Sequence, residues 1–297
     1  MLSFILIIAA SLFFSGLVSR TKSICSGRKG PGIFQPLRDA ARLFRKGTIY
    51  SRNTSSVFRV APLVYAASVI IACACIPLGP FPALLHFEGD FIFFAYLLSV
   101  GKFFCIAAAL DTASSFEGMG ASRESLYSML AEPAFFFIMG TLALLTGFHS
   151  FNDIFALTDA YSSLFSLGTA ISLAALILVI ALIESSRLPV DDPKTHLELT
   201  MIHEVMILDN SGFDLGLIFC TGYLKFAMYG ALIANLFLCG PLWACVLIFF
   251  AAQILSAVAV GVTESFMARF RMNHNPEFIF SIAALAFIIL ISTLYII

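Results

Sequence analysis

Apolar residues run on along most of this chain for about twenty positions at a time, without the alternation that marks a strand. Short stretches rich in Gly, Pro, Ser and charge separate the runs. A helix crossing a hydrocarbon core about 30 Å thick needs about 20 apolar residues at about 1.5 Å each. Eight runs meet that need, at about 1–19, 61–78, 91–110, 133–150, 161–184, 214–238, 242–263 and 278–297. They predict an all-α, polytopic integral membrane protein: one membrane domain of eight transmembrane helices, with amphipathic and loop helices on one face. Cys239-Gly240-Pro241 is a breaker pair that predicts a tight turn between spans six and seven. Span one is followed, not preceded, by Arg20 and Lys22, so it reads as an uncleaved anchor.

Composition agrees with the pattern. The 297 residues are 60% hydrophobic and only 12% charged, against about 45–50% and about 25% in a soluble domain. That excludes an ordinary cytosolic enzyme, a disordered chain and a coiled coil. The net charge of −1 says little; the placement of charge says more. Ten of the 17 Lys and Arg lie in or beside loop one, Arg123 is in loop three, Arg187 and Lys194 in loop five, Arg269 and Arg271 in loop seven. Loops two, four and six have none. The positive-inside rule makes the basic face cytoplasmic. An even number of spans then puts both termini on the outer face of the membrane.

The seven cysteines form no CxxC pair, which disfavours a zinc or iron–sulfur site. The five histidines do not pair across span centres, which disfavours a b-type haem. No phosphate-binding glycine loop, nucleophile elbow or HExxH motif occurs. No metal site is expected here, and any redox chemistry belongs to another chain.

Three loops carry chemistry. After Pro36, apolar Leu37, Ala40, Ala41 and Phe44 oppose Arg38, Arg42 and Arg45 at helical spacing. This predicts a short basic helix on the membrane surface, anchoring to lipid or docking a peripheral subunit. In loop three, Ser122 is expected to cap a helix running to Glu132, with Asp111 and Glu132 at the mouths of spans three and four and Glu117, Arg123 and Glu124 between them. In loop five, Asp192 followed by Pro193 reads as an N-cap, and a helix to about Leu208 should follow, placing His196, Thr200, His203 and Ile207 on one stripe. Glu198 and Glu204 lie off that stripe. His196 and His203 are two turns apart, a poor spacing for metal ligands. Acids and histidines among apolar residues suit proton relay better. Lys102 and Lys225 lie about 15 Å into their spans, where a lysine must be paired or wet and is functional by default. A water-filled path and a structural ion pair are both open readings.

The same segments resemble the membrane subunit shared by respiratory complex I, where it is subunit 1, and membrane-bound energy-converting [NiFe] hydrogenases. The resemblance rests on Glu184-x-x-Arg187-x-Pro189-x-Asp191, on Gly30-Pro31-Gly32 with Gln35, Asp39, Leu43 and Phe44, and on Leu110-Asp111-Thr112 with Gly120-Ala121-Ser122-Arg123-Glu124 and Glu132-Pro133. Glu264-Ser265-x-x-Ala268-Arg269 adds to it, and the last two sets look most like the hydrogenase branch, as in formate hydrogenlyase.

The resemblance implies a membrane anchor and proton-coupling subunit with no cofactor of its own. The Ni-Fe centre and iron–sulfur clusters would belong to hydrogenase large and small partner subunits. Coupling would pass to antiporter-like membrane subunits through buried carboxylates, which map to Asp111, Glu117, Glu132, Glu184, Asp191 and Glu198. His196, His203, Glu204, Lys102 and Lys225 join that set from the reading of the residues above. Arg38, Asp39, Arg42, Arg123, Glu124, Arg187, Glu264 and Arg269 are candidates for docking the redox arm or tuning nearby acids. The expected setting is a bacterial or archaeal cytoplasmic membrane, with the lipid bilayer and no nucleic acid as further partners. After Asp191 the sequence departs from the family, with Lys194 and His196 where acids are usual. That favours a hydrogenase-type complex over the alternative, a quinone-site subunit of complex I. A stand-alone secondary transporter is a third reading, weakened by the lack of an internal repeat.

Overall fold

The computed structural model of the chain describes residues 1–156, 167–192 and 201–296. Eight helices among them are long and apolar enough to cross a membrane: α1 (Leu2–Cys25), α3 (Ser56–Ala74), α4 (Asp90–Asp111), α5 (Ser115–Thr146), α7 (Leu167–Glu184), α9 (Gly212–Asn235), α10 (Leu242–Phe266) and α11 (Asn275–Ile296). Three short helices join them: α2 (Gln35–Leu43), α6 (Phe151–Ala156) and α8 (His203–Met206). The protein is therefore a multi-pass membrane protein. α2 coincides with the expected amphipathic helix.

α9 occupies the middle of the bundle, packed by α1, α3, α7 and α10, with α2 across its start. It is also the most buried span. Burial of polar groups there demands partners. Asn235 meets the demand by donating to the Pro77 carbonyl at 2.8 Å and accepting from the Gly79 amide at 3.2 Å. Close packing rests on glycine at two places. A Cβ on Gly16 would lie 1.6 Å from the Ile33 carbonyl oxygen, and one on Gly101 would lie 2.3 Å from the Ser68 hydroxyl. Small residues let helices approach closely in a bilayer.

Two expectations need correction. Loop three has no separate helix capped by Ser122. α5 is continuous from Ser115 through Pro133 to Thr146, and the Ser122 hydroxyl simply donates to the Met119 carbonyl at 2.9 Å. A mid-helix proline is tolerated in a packed span, and α5 lies along α11. Glu132 therefore lies inside a continuous helix, one position before Pro133. In loop five, residues 193–200 lie outside the described residues, with His196 and Glu198 among them. The expected helix is not continuous to Leu208, because residues 201 and 202 are not helical and only His203–Met206 is.

Candidate functional site

The two mid-span lysines converge on one carboxylate. Glu184 ends α7; its Oε1 accepts from Lys102 Nζ of α4 and its Oε2 from Lys225 Nζ of α9, each at 2.6 Å. Lys102 also lies 3.3 Å from Glu124 Oε1 and donates to the Ser128 hydroxyl at 3.1 Å. Lys225 is only 1% exposed and the other three charges are nearly as buried. Two ammoniums and two carboxylates cancel, which is how such charges persist in hydrocarbon. Both lysines are paired, and they border cavities.

Three cavities lie in sequence, the second and third of them bordering the cluster. The first, about 250 Å³, is walled by α1, α9, α10 and loop five, and carries Lys22, Arg187, His203, Glu204 and Glu264. The second, about 20 Å³, lies between His203 and the cluster of Lys102, Glu124, Glu184 and Lys225. The third, about 30 Å³, runs from Lys102 and Glu184 past Ser128 and Ser99 to Glu132. The first and second share His203, and the second and third share Lys102 and Glu184. A cavity needs about 10–15 Å³ and some polar partners to hold a water, so each of the small ones has room for one or two. At the far end, the Ser99 hydroxyl donates to Glu132 Oε1 at 2.5 Å. A proton-conducting chain requires such alternation of titratable groups, hydroxyls and water-sized space.

The mouth of the series is held by ion pairs. Glu264 bridges Arg187 at 2.7 Å and Lys22 at 3.5 Å, and the Arg187 guanidinium lies 5.4 Å from the Phe226 ring centroid. Burial pushes the Glu204 carboxyl up to about 7, helped by the charge of Asp191. Burial lowers the His203 imidazole, which keeps it neutral at ordinary pH. An acid titrating near neutrality at this mouth can take up and release protons at ordinary pH.

Asp191 has another task. One of its oxygens accepts from the Ile202 amide at 3.2 Å and the His203 amide at 3.1 Å. The other accepts from the Asp192 amide at 2.9 Å and faces Arg269 at 3.0 Å. Asp191 thus holds the backbone amides at the start of α8; the helix start expected after Asp192 lies outside the described residues. Burial still raises its carboxyl against the pull of Arg269 and these amides.

The remaining candidates lie apart from the cavities. Asp111 accepts from the Ser55 amide at 2.6 Å, at the start of α3. Glu117 accepts from the Asp209 amide at 3.0 Å. Arg123 is turned inward to the Met201 carbonyl at 3.2 Å. Arg38, Asp39 and Arg42 stay on the exposed face of α2, where Asp39 and Arg42 pair at 3.4 Å. Ser99, Ser128 and Lys22 belong to the site but were not singled out by sequence reasoning. A signal existed for Ser128. Glu124, Ser128 and Glu132 recur every four residues, one helix face, visible once α5 is read as continuous.

Comparison with known proteins is consistent with this architecture. The chain is 27% identical to hydrogenase-4 component C of Escherichia coli strain K12, over 96% of this chain and 92% of that one. It is 24% identical to formate hydrogenlyase subunit 4 of the same organism, over 98% and 96%. To an NADH-quinone oxidoreductase subunit of Paramagnetospirillum magneticum it is 26% identical, over 72% and 63%. Its fold superposes with a TM-score of 0.82, at 20% identity and 97% coverage of both chains, on a chain of the membrane-bound sulfane sulfur reductase, an archaeal respiratory membrane complex. The family model described as NADH dehydrogenase matches residues 1–294. With eight spans, the family's motifs in order and a match along almost its whole length, this chain belongs to the NADH dehydrogenase family, on the complex I subunit 1-like side shared with the hydrogenase subunits.

Proposed function

We propose that this chain is the membrane anchor and proton-coupling subunit of a multisubunit membrane-bound complex of the formate hydrogenlyase or energy-converting hydrogenase type. Its basic face is cytoplasmic and carries the hydrophilic redox arm. The observation that carries the reading is the series of cavities from Glu204 and His203 through Glu184, Lys102 and Lys225 to Glu132. Protons or charge displacements enter at the Lys22–Glu264–Arg187 mouth and end at Glu132, between α4 and α5, where an antiporter-like membrane subunit receives them. The hydrogenase branch is favoured over a quinone-reducing complex because the match to those relatives spans nearly both full chains, whereas the match to the NADH-quinone oxidoreductase relative covers 63% of that protein.

Among the described residues, no group of three or more His, Cys, Asp or Glu is placed to hold a metal ion. On this reading the Ni-Fe centre and iron–sulfur clusters belong to partner chains, and no step here passes through them. Gentle solubilisation of the native complex, followed by subunit identification and metal analysis, tests the reading. Nickel- and iron-containing partners should co-purify. A chain that emerges alone, and transports an ion or solute by itself, would overturn the reading in favour of a secondary transporter.

A further inference from the structure

A second kind of cavity lies away from the polar series. A groove of about 290 Å³ runs between α1 and α10, walled by Phe13 and Leu17 on one side, Phe250 and Ile254 on the other, and Ile33 from the loop above. We infer that this groove binds one acyl chain of an anionic phospholipid whose headgroup is held by Arg20.

The walls present hydrocarbon. Gln253 also borders the groove, but its amide is turned toward α9. Its Nε2 donates to the Ala227 carbonyl at 2.9 Å, and its Oε1 lies 2.5 Å from where a Cβ on Gly230 would be. Nothing in the lining would recognise a polar ligand. The groove faces the bilayer side of the bundle, because Phe13, Phe250 and Ile254 are all exposed. It is too small to seat a helix about 10 Å across and suits a single flexible hydrocarbon chain.

Charge selects which lipid. Phe13, Leu17 and Arg20 recur at i, i+4 and i+7 on one face of α1. The groove's stripe therefore runs into Arg20 at the basic end of the helix. On the α10 side that end is closed, where Gly261 meets Thr21 and the Val18 carbonyl, so a bound chain leaves along the Arg20 stripe. Arg20 donates to the Gly30 carbonyl at 3.3 Å through one nitrogen, and no carboxylate among the described residues pairs with it within 4 Å. Its other donors remain free for a phosphate. Arg28 and Lys29 adjoin Gly30 in sequence and add to the positive field.

Fluorescence quenching in reconstituted bilayers tests this. Trp243 is the one tryptophan. In a Trp243→Phe background of the full chain, Phe13→Trp places a reporter in the groove and Leu255→Trp places one on another face of α10, where Leu255 is 73% exposed. Brominated phosphatidylglycerol should quench the groove reporter about fivefold more effectively than brominated phosphatidylcholine at equal mole fraction. The Leu255→Trp reporter should show no preference, and Arg20→Gln should bring the groove ratio to about one. Equal quenching by both lipids in the groove, no quenching there, or a preference that survives Arg20→Gln would each overturn the assignment. Native mass spectrometry of the otherwise wild-type chain covers the case in which a tryptophan variant does not fold. One retained anionic phospholipid, lost in Arg20→Gln, is the expected result; a retained neutral lipid, quinone or peptide instead overturns it.

Discussion

Replacing Glu184 by Gln removes the negative charge between Lys102 and Lys225 with almost no change of shape. The two ammoniums sit 2.6 Å from opposite oxygens of that one carboxylate. Breaking a buried ion pair by removing one partner costs about 3–5 kcal/mol, because the other charge stays buried without compensation. The loss is unequal between the lysines. Lys102 keeps Glu124 at 3.3 Å and the Ser128 hydroxyl at 3.1 Å. For Lys225, Glu184 is the only ion-pair partner within 4 Å among the described residues. Glu184→Gln should therefore lower unfolding stability by about 3–5 kcal/mol, and adding Lys225→Met should recover about 2–3 kcal/mol of it, since directly coupled neighbours interact on that scale. Denaturant unfolding in mild detergent measures the four corners of the cycle. Redox-driven proton translocation by the intact complex, assayed in proteoliposomes, should be lost in both variants although the double variant is stable. A Glu184→Gln chain within about 0.5 kcal/mol of wild type, or a double variant no more stable than the single, would refute the argument that the triad is held by charge compensation. Unchanged proton translocation would remove Glu184 from the path.

Three further outcomes follow from the same geometry. Glu204 has its carboxyl raised from 4.5 to about 7 in the folded chain; the folded state then binds more protons than the unfolded between those values, so its contribution to stability is present below about pH 4.5 and declines as pH rises through 7. Glu204→Gln should abolish that decline in unfolding curves taken at pH 5 and pH 8. Asp191→Ala should release the Ile202 and His203 amides and speed their hydrogen exchange by at least tenfold, one factor of ten being about 1.4 kcal/mol, while leaving α4 and α11 protected. Gly16→Ala should destabilise the chain by about 1–3 kcal/mol, because its methyl would meet a backbone oxygen at 1.6 Å and not a flexible side chain; the change in thermal midpoint in detergent reports it.

The sequence by itself determined the eight spans, the basic face and the amphipathic α2. These follow from length, hydropathy and charge placement, which are local or additive along the chain. It also marked Lys102 and Lys225 as residues in need of partners, since a lysine in hydrocarbon is costly wherever the rest of the chain goes. It did not identify the partner. Only the tertiary arrangement, with α7 against α9 and α4 held beside them by α3 and α5, brings Lys102, Glu184 and Lys225 together, across sequence separations of tens of residues that no periodicity encodes. The continuity of α5 was decided the same way: Pro133 and the polar residues before it argue locally for a break, and packing along α11 outweighs them. That continuity is what lines up Glu124, Ser128 and Glu132. Asp191 is held by Arg269, beyond two further spans, and by the amides of Ile202 and His203, contacts that no local pattern encodes. The sequence therefore defined the membrane protein and supplied the charges, and tertiary packing decided which charges meet and where water-sized space lies between them.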